Sequence, residues 1–138
     1  AIHIECSGAL PLYSYGIING ISVASGAGVT TVVPVYEAHT IPTAARRLHL
    51  GGTDVTQHLQ HLLTTKGEYL NDCLGGFITA NEIKEACCDV SSRCYNYDET
   101  FSGKQKRYLL PDGKVVLLEN EQFLCSEIMF QPELIDEE

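Results

Sequence analysis

Positive charge is scarce in this 138-residue chain: Lys and Arg total 9 against 18 Asp and Glu, a formal net charge of −9. Nucleic acids and anionic membranes are held through counterion release at a positive surface, so neither is an expected direct partner. An acidic end at Asp136, Glu137 and Glu138 adds to the surplus, which serves mainly solubility. No apolar run reaches the ~18 residues of a membrane span. Ala1 to Cys6 lack the charged and long apolar regions of a signal peptide. They also lack an initiator methionine, the single Met being Met129, so the chain is expected to be a piece of a longer one or a mature form. The six cysteines (Cys6, Cys73, Cys87, Cys88, Cys94 and Cys125) contain no CxxC pair. Neighbours such as Cys87 and Cys88 would point about 100° apart on a helix, a poor chelating arrangement. The expectation is therefore no metal, reduced and mostly buried thiols, and an intracellular protein, cytosolic or nuclear.

What is present is an ordinary globular composition, 44% hydrophobic and 20% charged, on a chain long enough for one core. Ser7 to Tyr15 predicts a short helix with Ser7 as N-cap, provided that Pro11 lies in the first turn; Gly16 ends it. Ile17 to Ala24 and Val29 to Tyr36 predict two strands joined by the tight turn Ser25-Gly26-Ala27-Gly28, a hairpin. Pro34 cannot donate to a ladder and predicts an edge or a bulge. His39 to Leu50 is extended, closed by Gly51-Gly52. A helix capped by Thr53 or Asp54 follows, with Val55, Leu59, Leu62 and Leu63 on one face and a stop near Lys66-Gly67. Glu68 to Gly76 is irregular, and Thr79 to Cys94 helical, with Ile83, Cys87 and Val90 at helical spacing. Tyr95 to Lys106 is a polar loop. Arg107 to Leu110 and Lys114 to Leu118 form a second hairpin around Pro111-Asp112-Gly113, and Glu121 to Met129 a last helix. Repeats and low-complexity segments are absent.

The segment that carries chemistry is Val23 to Thr30. A Ser/Gly turn between strands exposes successive backbone N–H groups that can cradle phosphate oxygens, although most such turns bind nothing. Its neighbours make it specific. LYSYG (Leu12 to Gly16), ASGAGVTTVVPVYEAHTIP (Ala24 to Pro42), LHLGGTDVT (Leu48 to Thr56), EIKEACC (Glu82 to Cys88), LPDGKVV (Leu110 to Val116), ENEQFLCSE (Glu119 to Glu127) and FQP (Phe130 to Pro132) occur in this order. Together they resemble the actin and actin-related protein family over Ala1 to Pro132. LYSYG and FLCSE look more like its divergent, testis-type actin-like members than like conventional actin.

The resemblance implies an α/β chain forming one lobe of the ribonuclease H-like actin/Hsp70/sugar-kinase fold. Residues 1–50 would belong to an inner subdomain with the second phosphate hairpin, and residues 51–138 to an outer subdomain over the adenosine. The family's first phosphate hairpin and its late Gly-rich adenosine segment have no counterpart here, so this chain would not close a nucleotide cleft alone. The departures carry the most information. The family's second phosphate loop reads DSGDGVT followed by His, and its first Asp orients magnesium-bound water. Ala24 and Ala27 stand at the acidic positions, Thr31 at the His, and Ser7 at the family's water-polarising Gln. Alanine offers no oxygen to a metal shell and cannot polarise water, so hydrolysis is expected to be lost. By the same resemblance Ser25, Gly26 and Gly28 keep the loop, Asp54 matches the Asp of the family's GRD with Thr53 in place of its Arg, and Lys84 and Glu85 match residues against the ribose and base. These six are the candidate nucleotide-binding residues of a degenerate ATP or ADP site.

Other candidates have plainer accounts. His58 and His61 lie three apart on a helix, a chelating spacing without a third ligand, so surface histidines are the simpler explanation. Arg46-Arg47 is expected to be a solvated pair, and Tyr95, Tyr97 and Phe101 to be half-packed aromatics or partner anchors. The expected function is a non-catalytic actin-related subunit of a cytoskeletal or larger protein assembly. Its partners would be actin-like or cytoskeletal subunits, and its compartment the cytoplasm, with the nucleus as second choice. The alternatives are a nucleotide-dependent polymerising actin with ATPase activity and, more remotely, a sugar- or acetate-kinase lobe. Half of such a lobe is expected to leave an apolar face uncovered.

Overall fold

The computed structural model describes residues 5–68, 70, 74–92 and 104–135. Contacts divide the chain into two units, Ala1–Gly52 and Thr53–Glu138.

The first unit opens with α1 (Leu10–Ser14). It begins three residues after Ser7, which lies in a turn that closes through the Ala9 amide and the Cys6 carbonyl (2.9 Å). Pro11 falls in the first turn, where its missing N–H costs nothing. Gly16, at φ 69, ends the helix. The Ile17 amide bonds the Leu12 carbonyl and the Gly16 amide that of Tyr13 (both 2.9 Å), the two bonds of a Schellman cap.

Four strands follow: β1 (Gly20–Ser25), β2 (Thr30–Tyr36), β3 (His39–Thr40) and β4 (Arg46–Leu48). β1 starts three residues later than expected, because the Schellman turn and the bends after it occupy 16–19. Strand β2 is central. It pairs antiparallel with β1 (Ser25 opposite Thr30, Gly20 opposite Val35) and, on its other side, with β3 and β4. Pro34 is thus on no edge strand. It sits in the gap on β2's far side, after the last β4 pair at Val32 and before the first β3 pair at Val35. Its carbonyl accepts from the Ile41 amide (3.0 Å) and no ladder N–H is needed there.

Alternation gives the sheet two faces. Ser22, Val33 and Val35 are buried on one, and Ala9 is buried in the same unit. The other carries Ile21, Val23, Tyr36 and Leu48, all more than half exposed, the uncovered apolar face expected of this fold. The β2–β3 turn is unusual. Glu37 (φ 49) and Ala38 (φ 60) both adopt the left-handed conformation that a type I′ turn demands and that Asn or Gly supplies more easily. It is held from outside: Asn19 Oδ1 accepts from the Glu37 amide (2.6 Å), the Ile18 carbonyl from the Ala38 amide (2.8 Å), and the Ala38 carbonyl from the Tyr13 hydroxyl (3.0 Å).

The second unit packs helices on a hairpin. α2 spans Gly52–Thr65, starting just before the expected caps Thr53 and Asp54. Its Val55, Leu59 and Leu63 are buried at four-residue spacing, and Gly67 (φ 94) closes it with a second Schellman pair. α3 spans Leu74–Cys87 and buries Ala80, Ile83 and Cys87. It starts earlier than expected, through Gly75, whose carbonyl takes the Thr79 hydroxyl (2.9 Å). It also ends earlier, because the Asp89 amide bonds the Gln122 carbonyl (2.9 Å) and leaves the helical path. Val90 is therefore outside the helix and 62% exposed. β5 (Lys106–Leu109) and β6 (Val115–Leu118) form the second hairpin, with Asp112 Oδ1 accepting the Lys114 amide (2.9 Å) and Gly113 at φ 88. α4 (Glu121–Glu127) and a 3-10 turn (Pro132–Leu134) close the unit around Val116, Leu118, Leu124, Cys125 and Ile128. Cys73, Cys94, Tyr95, Tyr97, Phe101 and Asp136 to Glu138 lie outside the described residues.

Candidate functional site

The β1–β2 loop is built by its own short-range chemistry. Ser25 ends β1, Thr30 opens β2, and the Gly26 amide donates to the Val29 carbonyl (2.9 Å), so Gly26 to Val29 make a closed end. Thr30 Oγ1 donates to the Leu50 carbonyl (2.8 Å). Its single proton is then spent, so in the 2.9 Å contact with Ser25 Oγ the serine is the donor. Ser25 is committed within the chain. The Gly26 carbonyl accepts from the Gly52 amide (3.0 Å), and the Ala27 carbonyl packs against Gly51.

The amides of Ala27, Gly28 and Val29 donate to no protein acceptor among the described residues. Such a run of N–H groups suits an oxyanion. A divalent cation does not fit the same loop. Ala24 and Ala27 present methyl groups, and the two nearest carbonyls are turned onto Gly51 and Gly52. Thr31 lies in β2 with its hydroxyl 3.5 Å from the Ala24 carbonyl, and Ser7 in the turn before α1.

Asp54, Lys84 and Glu85 lie in the second unit. Lys84, half-buried on α3, donates through Nζ to Thr56 Oγ1 on α2 (2.8 Å). Thr56 is fully buried and its hydroxyl lies 3.3 Å from Asn81 Oδ1, while Asn81 Nδ2 donates to Glu85 Oε1 (2.8 Å). The Lys84–Thr56 and Thr56–Asn81 contacts join α2 to α3, so Lys84 braces the two helices whatever else it does, while the Asn81–Glu85 bond lies within α3. Asp54 sits in the first turn of α2, where a carboxylate complements the helix dipole.

A cleft of about 620 Å³ runs beside α2, lined by Asp54, His58, His61 and Leu62 with Leu134 and Ile135 among others. His58 is buried, not a surface residue; burial, and then the neighbouring His61, pushes its pKa below the usual histidine value. Among the described residues no group of three or more His, Cys, Asp or Glu could hold a metal. Among the described cysteines Cys87 and Cys125 are buried, Cys88 is half-buried and Cys6 is exposed. The Cys88 thiol is held protonated, its pKa raised by a hydrogen bond with Cys125 and then by burial. Arg46 and Arg47 are exposed on β4, and the Arg46 guanidinium donates to the Thr43 and Ala45 carbonyls (3.3 and 3.2 Å).

The family model for actin matches residues 1–71 and 77–138. The chain belongs to the actin family. It is 40% identical over 137 residues to actin-like protein 7A of Homo sapiens, covering 98% of this chain and 31% of that protein. It is 39% identical over 145 residues to actin-related protein 2 of Acanthamoeba castellanii, covering 100% and 36%. Against actin-related protein 2 of Saccharomyces cerevisiae the identity is 38%, covering 99% and 36%. The chain thus spans about a third of the length of these relatives. Its mixed helices and strands are a partial actin-like α/β fold. No helix among the described residues is long and apolar enough to cross a membrane.

Of the residues to which the sequence points, Ser25, Gly26 and Gly28 lie together at one hairpin end, and Lys84 and Glu85 on one helix. Thr30 lies at the end of the segment the sequence points to, but its hydroxyl has no predicted role there, and neither have Gly51, Thr56 and Asn81. The Gly51-Gly52 pair before a helix is the available signal for Gly51. The contacts that give the other three their roles, Thr30 to Leu50, Thr56 to Asn81 and Thr56 to Lys84, span 20 to 28 residues in sequence, so nothing local marks them.

Proposed function

We propose that this actin-family chain serves as a non-catalytic, structural and interaction subunit of a cytoskeletal or larger protein assembly, with protein partners of actin-like or cytoskeletal type. The observation that carries the proposal is a hairpin loop whose backbone is well formed but whose acidic positions are Ala24 and Ala27. Phosphoryl transfer relies on a metal and a positioned water, and the loop offers neither a carboxylate to hold them. On this reading the fold is kept for its surfaces, in the cytoplasm and cytoskeleton with the nucleus as a second compartment, and Lys84 remains as a brace between α2 and α3.

The second reading is a nucleotide-dependent, polymerising actin. The three loop amides without a protein acceptor and the retained Lys84 and Glu85 favour it. Membership of the actin family sets the kinase-lobe alternative aside. Calorimetry with magnesium-ATP on the purified protein and on its Ala24→Asp, Ala27→Asp variant separates the two, together with an assay of phosphate release. The structural reading expects no hydrolysis and no tight binding by the native protein, with binding gained by the variant. Hydrolysis by the native protein at conventional actin rates would overturn it.

A further inference from the structure

The loop at the end of the β1–β2 hairpin is held by more than its own closing bond. The Gly26–Val29 bond closes it, yet the 50–52 segment grips it as well. The Leu50 carbonyl takes the Thr30 hydroxyl and the Gly52 amide reaches the Gly26 carbonyl. Between them Gly51 lies so close that a Cβ there would sit 2.5 Å from the Ala27 oxygen and 2.7 Å from the Gly26 oxygen. Both are backbone atoms, which cannot rotate aside as a side chain could. Any side chain at Gly51 must therefore push the loop away and stretch the Gly52–Gly26 bond.

We infer that Gly51 is a positioning residue: its missing side chain lets the loop carbonyls dock on the 50–52 segment, so the chain's own contacts set the shape of the loop. The Gly26 carbonyl bonds the Gly52 amide and the Ala27 carbonyl lies against Gly51, while the amides of Ala27, Gly28 and Val29 are left as the loop's open donors. How the loop is held is separate from whether the protein hydrolyses ATP.

Hydrogen exchange on the purified protein tests it, with Gly51→Ala and Thr30→Val variants. Losing one bond of this kind speeds exchange at the groups it protected by roughly tenfold. In both variants the Gly26 and Gly52 amides are expected to exchange about that much faster, while those of Leu59 and Leu63 stay as they were. Thr30→Val removes the hydroxyl bonds without a clash, so it decides the matter if Gly51→Ala does not fold. Native-like exchange at Gly52 in a folded Gly51→Ala protein would overturn the inference, as would native-like exchange at both Gly26 and Gly52 in the Thr30→Val protein.

Discussion

Thr56 is the best single place to test the bracing of α2 against α3. It is fully buried, and its hydroxyl accepts a hydrogen bond from Lys84 Nζ at 2.8 Å and donates to Asn81 Oδ1 at 3.3 Å. Thr56→Val keeps the shape and removes the oxygen. A neutral hydrogen bond contributes about 1 kcal/mol and one to a charged group about 1.5–3 kcal/mol. Lys84 and Asn81 are both half-buried, so water recovers part of the loss, and the net cost should be about 2 kcal/mol. Thr56→Ser keeps the oxygen and loses one methyl group, about 0.8 kcal/mol before any cavity cost. With a urea m-value of about 2 kcal/mol/M, the midpoints should fall by about 1 M for the valine and by about half that for the serine. Equilibrium urea unfolding followed by circular dichroism measures both. A valine variant at least as stable as the serine variant would refute the reasoning, because the buried oxygen would then be linking nothing.

Two further outcomes are expected. Ala38→Gly relieves a left-handed conformation that costs an alanine roughly 1–2 kcal/mol, less the entropy glycine regains on unfolding, so thermal melting should rise by the equivalent of about 0.5–1 kcal/mol; a fall would mean that the turn is unstrained. His58 has its pKa lowered in the fold, so below about pH 6.5 the unfolded chain takes up a proton that the folded one refuses. Stability should therefore fall as the pH drops through that range, and His58→Gln should flatten the slope in a series of melts. Asp54, His61 and Glu133 also line the cleft beside it, so the difference between the two proteins, not the slope alone, is the diagnostic.

Local periodicity and turn chemistry were legible without a structure. The Val55, Leu59 and Leu63 stripe repeats at the helical period and is buried as a stripe. Gly16, Gly67 and Gly113 stand where the chain needs positive φ, and the Ser25–Gly28 and Pro111–Gly113 turns join antiparallel strands as their composition implies. Boundaries set from a distance were not legible. α3 ends at Cys87 because a carbonyl on α4 takes the Asp89 amide, and no property of Cys88 or Val90 announces it. Pro34 signals only that it cannot donate. That it lies in a central strand, opposite a gap between two partners, depends on where β3 and β4 fall.

The candidate site divides in the same way. Membership of the actin family and the loss of the loop acids at Ala24 and Ala27 belong to the sequence, because they concern which side-chain atoms exist at all. Whether Ser25 is free to meet a ligand, what Lys84 holds, and why Gly51 must lack a side chain were decided by tertiary structure. Lys84 and Gly51 meet atoms from more than 20 residues away, and Ser25 meets Thr30, five residues on, whose hydroxyl is itself fixed by the Leu50 carbonyl; hydrogen bonding and steric repulsion act only at such contact range.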